Sequence, residues 1–173
     1  MLHFACAALL LLGAATVPAP AAGQATDVHE TILRAVQQQM PTKALFLDPR
    51  VLAWWNPEGQ HNPGPWQIRF AEQHPSDWVE TLRASALIQG TCQDAHTINE
   101  QPTCEQTQEQ VVVALSGLQE IDENKVQVSV LLSGMAQPRP TGSENPWARQ
   151  EIYTLEQRDG EWVITSRRTV VQT

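Results

Sequence analysis

Ile152-Tyr153-Thr154-Leu155-Glu156-Gln157-Arg158-Asp159-Gly160-Glu161-Trp162-Val163-Ile164 decides the fold. Apolar and polar side chains alternate on both sides of Asp159-Gly160, a dipeptide that accepts the positive φ a two-residue hairpin turn demands. The stretch therefore predicts two antiparallel strands, over 148–157 and 162–171. Upstream of it, 125–134 sets Val126, Val128, Val130 and Leu132 on one face against Gln127 and Ser129 on the other, and 111–118 is β-branched and apolar. A Pro/Gly-containing loop over 137–146 separates the two pairs. The expected unit is a C-terminal antiparallel meander of about four strands, with one face turned to a core and the other to solvent.

The N-terminal half supplies what that face would cover. Asp27 with Glu30 looks like a capping pair, and Val28, Ile32, Leu33, Val36 and Met40 follow at helical spacing until Pro41 stops the run. Ala44-Leu45-Phe46-Leu47 and Val51-Leu52 are two short apolar pieces joined at Asp48-Pro49-Arg50, which reads as a strand with a bend because Pro49 resists a regular helix. Trp54 and Trp55 lead into a proline- and glycine-rich loop over 56–65, and Trp66, Ile68 and Phe70 alternate beyond it. Ser76 reads as the cap of a second helix whose face would carry Trp78, Val79, Leu82 and Ala86, giving way near Ile88-Gln89-Gly90. Residues 91–108 are polar and turn-rich. No internal repeat, heptad pattern or transmembrane run appears after residue 25.

The first 25 residues read as an export signal: an apolar core over 4–15, then small residues and prolines, with cleavage expected between Ala21 and Ala25. The apolar run is shorter than the roughly 20 residues a membrane span needs, so no stable insertion is expected after cleavage. Residues 26–173 then form one domain of ordinary size, large enough for a single core. All 19 acidic and 11 basic residues of the chain lie after the leader, and the net charge of -8 disfavours nucleic acid and anionic lipid partners. Cys92 and Cys104 remain after cleavage, and an exported chain is expected to join them. Such a bridge contributes about 3 kcal/mol in the chain-entropy account. A catalytic thiol or a metal pair is the competing use, weakened by the lack of Cys-x-x-Cys spacing.

A first helix, a bent apolar segment, a second short helix and a meander ending in the quoted hairpin resemble the nuclear transport factor 2-like, or cystatin-like, superfamily. The resemblance implies an α+β fold in which a curved antiparallel sheet wraps around the N-terminal helix as a cone. The interior of such a cone holds a small molecule or is filled by side chains. Enzymes of that superfamily include ketosteroid isomerases, polyketide cyclases and dehydratases, and many other members are non-catalytic binding or assembly modules, so the fold does not choose between them.

Residues able to do chemistry are few. An isomerase or cyclase needs a base in an apolar setting and a donor facing the developing oxyanion; Asp48 as base and Tyr153 as donor are the sharpest candidates. The plainer reading makes Asp48 a turn former paired with Arg50, and Tyr153 a half-buried sheet aromatic. His29, His61, His74 and His96 are widely spaced and read as exposed rather than metal-binding, and His74 with Asp77 makes a pair but no site. Neither a nucleophile elbow nor a phosphate-cradling glycine loop occurs, and Ser116-Gly117 falls inside a strand pattern. Trp54, Trp55 and Trp66 bracket the proline-rich loop and, with Tyr153, form the expected ligand-facing set, against the alternative that they pack on prolines.

The reading that results is an exported, non-catalytic binding or interaction module that holds a small apolar ligand in preference to an envelope protein, with no cofactor and no metal. A small isomerase, cyclase or dehydratase using the cone interior is the rival. A homodimer paired across the open sheet face, marked by an exposed Leu131, is a third.

Overall fold

The computed structural model describes residues 22–53, 70–92, 96–98, 101–104 and 106–172. Helix α1 (Ala22–Gln39) is followed by β1 (Ala44–Leu47), β2 (Arg50–Leu52), β3 (Phe70–Gln73), α2 (Ser76–Ala84), β4 (Gly90–Thr91), β5 (His96–Ile98) and β6 (Gln101–Thr103). Then come β7 (Gln110–Leu115), β8 (Gln119–Asp122), β9 (Lys125–Met135), β10 (Pro146–Arg158) and β11 (Glu161–Gln172). The chain is α+β with a curved, unclosed sheet in the order β11-β10-β9-β7-β1-β4, while β8 pairs with β9, and β2–β3 and β5–β6 are separate small hairpins.

The meander forms as its alternation demands. β9 pairs antiparallel with β7, β10 with β9 and β11 with β10, and the last turn places Asp159 at φ 53° and Gly160 at φ 87°. Both strands of that hairpin are longer than the pattern suggests. Val126, Val128, Val130 and Leu132 of β9 join Tyr153 and Leu155 of β10 and Val111, Val113 and Leu115 of β7 in one core. Val28, Ile32, Leu33 and Val36 of α1, all fully buried, belong to the same core. Apolar spacing of 3.6 on the helix thus meets spacing of 2 on the strands.

The second face of the sheet is not the solvated one expected. Val112, Ala114, Ser129, Ile152 and Thr154 are buried there too, and Leu131 is half-buried. Long amides contribute to this cover: Gln150 Nε2 donates to Ser129 Oγ at 2.8 Å, and Gln127 Nε2 donates to Thr154 Oγ1 at 3.1 Å.

Other expectations are corrected. Helix α1 begins at Ala22, so Asp27 and Glu30 lie within it rather than at its cap, and the carbonyl of Asp27 accepts from Thr31 Oγ1 at 2.9 Å. Residues 22–25 of the expected leader are helical, and the rest of that leader lies outside the described residues. Ser76 is the first helical residue of α2 and not its cap; Pro75, at φ -55° and ψ 134°, holds the cap position, and no side chain caps the helix there. A proline fits because a missing N–H costs nothing where no intrahelical acceptor exists. Ala86 leaves the helix at φ 56° and is exposed, and the reversal turns Leu87 and Ile88 inward in its place.

The largest addition is at the β7 edge. β1 runs parallel to β7, with Ala44 opposite Gln110 and Leu47 opposite Val113, and β4 runs parallel to β1. Parallel neighbours need a crossover connection, and α2 lies in the one that joins β1 to β4. The bend at Asp48-Pro49 separates β1 from β2, which leaves the main sheet to pair with β3. Among the described residues no helix is long and apolar enough to cross a membrane.

Candidate functional site

Tyr153 sits on the α1-facing side of β10 and is 1% exposed. Its hydroxyl donates to Glu151 Oε2 at 2.9 Å and accepts from Gln39 Nε2 at 3.2 Å, where α1 ends. Glu151, two residues along the same strand and equally buried, has its other oxygen 3.0 Å from Arg149 Nε. That ion pair lacks hydrogen-bond alignment, so the buried Arg149 Nε–H finds no acceptor among the described residues. Strand alternation produces the cluster: Arg149, Glu151, Tyr153 and Leu155 are successive same-face positions, polar toward one end and apolar toward the other. Burial pushes the Tyr153 hydroxyl above the usual phenol range; donation by Gln39 acts the other way, and the Glu151 charge adds to the rise. Tyr153 is therefore a protonated donor and not a base at neutral pH.

Asp48 belongs to a different network. Its carboxylate accepts from Arg50 N at 3.0 Å, from Arg50 Nε at 2.8 Å and from Arg50 Nη2 at 2.5 Å. The guanidinium also lies 3.9 Å from the centroid of the Phe70 ring. The turn-former reading of Asp48 thus describes its surroundings, while Tyr153 bonds to Glu151 and Gln39 instead. Beside it is the disulfide: Cys92 and Cys104 are joined, with Cα atoms 4.9 Å apart, and Cys104 Sγ lies 3.9 Å from Asp48 Oδ2.

A third cluster corrects the reading of the histidines as exposed. His29 is 4% exposed, and its Nε2 lies 3.0 Å from the carbonyl of Ser116, so that nitrogen carries the proton. His74 reaches the adjacent carbonyl, Leu115 O, at 3.2 Å. The two rings are 5.8 Å apart and both pack on Trp78, whose buried Nε1–H has no acceptor among the described residues. Burial, then the charge of His74, lowers the His29 pKa from 6.5 to about 4, against a smaller opposing effect of the Ser116 carbonyl. Ser116 is more than a strand residue, because its Oγ also accepts from Ser129 N at 2.9 Å.

Trp54, Trp55, Trp66 and His61 lie outside the described residues, as does the side chain of His96. Of the expected ligand-facing set, Tyr153 alone can be placed. Sequence reasoning missed Arg149, Glu151 and Gln39 beside it, although Arg149-x-Glu151-x-Tyr153-x-Leu155 carries the period-2 signal that puts all four on one face. It also missed His29, which shares the helical stripe of Ile32, Leu33 and Val36.

No family model matches the chain, and no curated protein does. Among solved structures, the association domain of C. elegans CaMKII is similar at 13% identity over 86% of this chain and 98% of that chain, with a TM-score of 0.34. A likeness at that level leaves the function of this chain to be argued from its own residues.

Proposed function

We propose that the protein is an exported, non-catalytic binding module whose ligand is a small, mainly apolar molecule with one acceptor group, received where α1 ends over β10. The buried Arg149 Nε–H, ion-paired with Glu151 but without an aligned acceptor among the described residues, carries this reading, beside the Tyr153 hydroxyl and at the edge of an apolar core. A buried donor without an aligned acceptor is costly, and a well-placed ligand oxygen lowers that cost. Apolar pockets with a few fixed polar groups are the usual form of such sites. Export is supported by the leader-like first 25 residues and by the Cys92–Cys104 disulfide.

An isomerase or cyclase would draw on the same cluster, with Glu151 rather than Asp48 near Tyr153. The hydroxyl proton of Tyr153 is directed at Glu151, which withholds it from a substrate oxygen, so binding is favoured over catalysis.

Titration of the mature protein with 1-anilinonaphthalene-8-sulfonate, an aromatic body bearing an acceptor group, tests the proposal. One saturable site is expected, weakened roughly tenfold or more in Arg149→Gln, as loss of a charge-assisted hydrogen bond implies. Circular dichroism checks that the variant remains folded. Absence of saturable binding, or equal affinity of the folded variant, overturns the assignment.

A further inference from the structure

Where β1 ends, the register brings three metal-ligating side chains together. Leu47 of β1 lies opposite Thr91 of β4 in parallel pairing, so the next residues, Asp48 and Cys92, emerge at the same end of the sheet. Cys92 N donates to Leu47 O at 2.9 Å and fixes the cysteine there. Cys104 reaches the same place from the end of β6. The Asp48 oxygen and the two sulfurs all lie within 4.8 Å of one another, and Asp48 is 3% exposed.

The Asp48 carboxylate is held firmly. Arg50 N and Arg50 Nε both donate to Oδ1, while Oδ2 takes Arg50 Nη2 and faces the Cys104 sulfur. In the oxidised chain the two sulfurs are bonded to each other, so neither is available as a thiolate ligand.

We propose that reduction of the Cys92–Cys104 disulfide turns this corner into a Zn²⁺ site, with the two thiolates and the Asp48 carboxylate as protein ligands and the fourth position open to water. A dithiol reductant supplies two electrons and two protons: the S–S bond breaks, Cys92 and Cys104 become thiols, and the reductant leaves as its own disulfide. Zinc binding then releases both thiol protons. Two thiolates, one carboxylate, the Arg50 guanidinium and Zn²⁺ sum to zero charge, so a half-buried corner can hold the ion without an uncompensated charge. Zinc bonds of about 2.3 Å to sulfur and about 2.0–2.2 Å to oxygen place ligand atoms roughly 3.5 Å apart; the two sulfurs must therefore separate once the disulfide opens, while the Asp48 oxygen, 3.9 Å from the Cys104 sulfur, needs to move little. Two thiolates suit zinc over magnesium or calcium. The fixed carboxylate distinguishes this site from an arbitrary dithiol.

The test uses the mature chain, reduced with tris(2-carboxyethyl)phosphine, freed of reductant under anaerobic conditions and titrated with Zn²⁺ against a chromophoric chelator. One equivalent is expected to bind to the reduced protein and none to the oxidised protein. Asp48→Asn should bind at least tenfold more weakly. The unmutated reduced chain should also lose at least tenfold in affinity when unfolded in urea, a comparison that needs no variant to fold. Co²⁺ in place of Zn²⁺ should show the intense visible bands of a tetrahedral thiolate centre. Equal zinc affinity of folded and urea-unfolded reduced chains, or binding no tighter than in a Cys92→Ser/Cys104→Ser chain, overturns the proposal. Neither result bears on the Arg149 site, which the sulfonate titration tests separately.

Discussion

β9 and β10 are held together in register from Pro146 opposite Met135 to Glu156 opposite Lys125, without a break. β2 and β3 share two partner positions with a register shift between them. The corner around β1, β2, α2 and β4, with the facing turn of α1, carries besides its apolar packing single contacts of high specificity: Asp48 on Arg50, two histidine rings on consecutive carbonyls, one disulfide. Both regions share one apolar core, to which the corner gives Leu45, Leu47, Leu82 and Ile88; the corner adds a few polar and covalent contacts that the β9–β10 pairing does without. Their responses should differ accordingly: both are sensitive to lost volume, and the corner responds to pH and reductant as well.

The largest effect is expected from Leu132→Ala in β9. Leu132 is fully buried in the shared core, and truncation of such a leucine costs about 4 kcal/mol, combining lost transfer energy with the cavity left behind. Urea denaturation should show this loss equally at pH 7 and pH 5. A cost below about 1 kcal/mol would mean that the meander core is loosely packed.

Acid should act where α1 meets the corner, at His29. His29 has its pKa lowered to about 4 in the folded chain, so between 6.5 and 4 the unfolded chain binds the extra proton and the folded chain does not. Stability then rises with pH across that window. This contribution is complete above about 6.5, falls as pH drops, and has been lost by about pH 4, for a total of about 3 kcal/mol. His29→Gln should flatten this part of the stability–pH profile. An unchanged slope in the variant would show that His29 is not the group responsible.

Removing the disulfide by Cys92→Ser/Cys104→Ser should cost about 2–3 kcal/mol for a loop of this length. The loss should also be local. Amide exchange ought to accelerate at Cys92 and Gln89, whose N–H groups bond to the carbonyls of Leu47 and Leu45, and remain slow in β9 and β10. Uniform acceleration would show that the two regions unfold as one unit.

The same contrast explains what could be read from the sequence. In β9 and β10 the alternation runs for many residues, and each position repeats the message of its neighbours. Val126, Val128, Val130 and Leu132 share the core face whether or not any one of them is decisive. Helix α1 was equally legible in its stripe, though not in its start, because the helix runs on through Ala22 to Ala25 without any stop signal. β1 is four residues long and β4 two. Segments that short carry no period, and their parallel neighbours are chosen by tertiary packing rather than by local propensity. β8 was missed for a similar reason, since all four of its residues are exposed and show no alternation in burial. The polar clusters were hidden by sequence distance: His29 meets His74, and Asp48 meets Cys104, only once the crossover is in place. Glu151 was hidden by chemistry, because a carboxylate in an alternating strand is ordinarily assigned to the wet face.

The smallest effect tests the point at which local sequence alone is sufficient. Gly160 stands at φ 87°, and a Cβ built on it would meet nothing within 4 Å. Any loss in Gly160→Ala is then conformational rather than steric, and a left-handed alanine costs about 1 kcal/mol. Asp159 already occupies the left-handed region at φ 53°, a setting that asparagine accepts at least as well as aspartate. Asp159→Asn should therefore leave stability within about 0.5 kcal/mol of the parent. If the turn specifies the hairpin, Gly160→Ala should slow refolding as well as lower stability, because a misset turn shifts the register of β11 against β10 and moves Trp162 and Ile164 off the core face. If Gly160→Ala instead leaves refolding unchanged and only speeds unfolding, the hairpin is aligned by its side chains first and the turn closes afterwards. Refolding rates measured by stopped-flow tryptophan fluorescence distinguish the two orders of events, since Trp162 lies two residues beyond the turn and is buried in the folded chain.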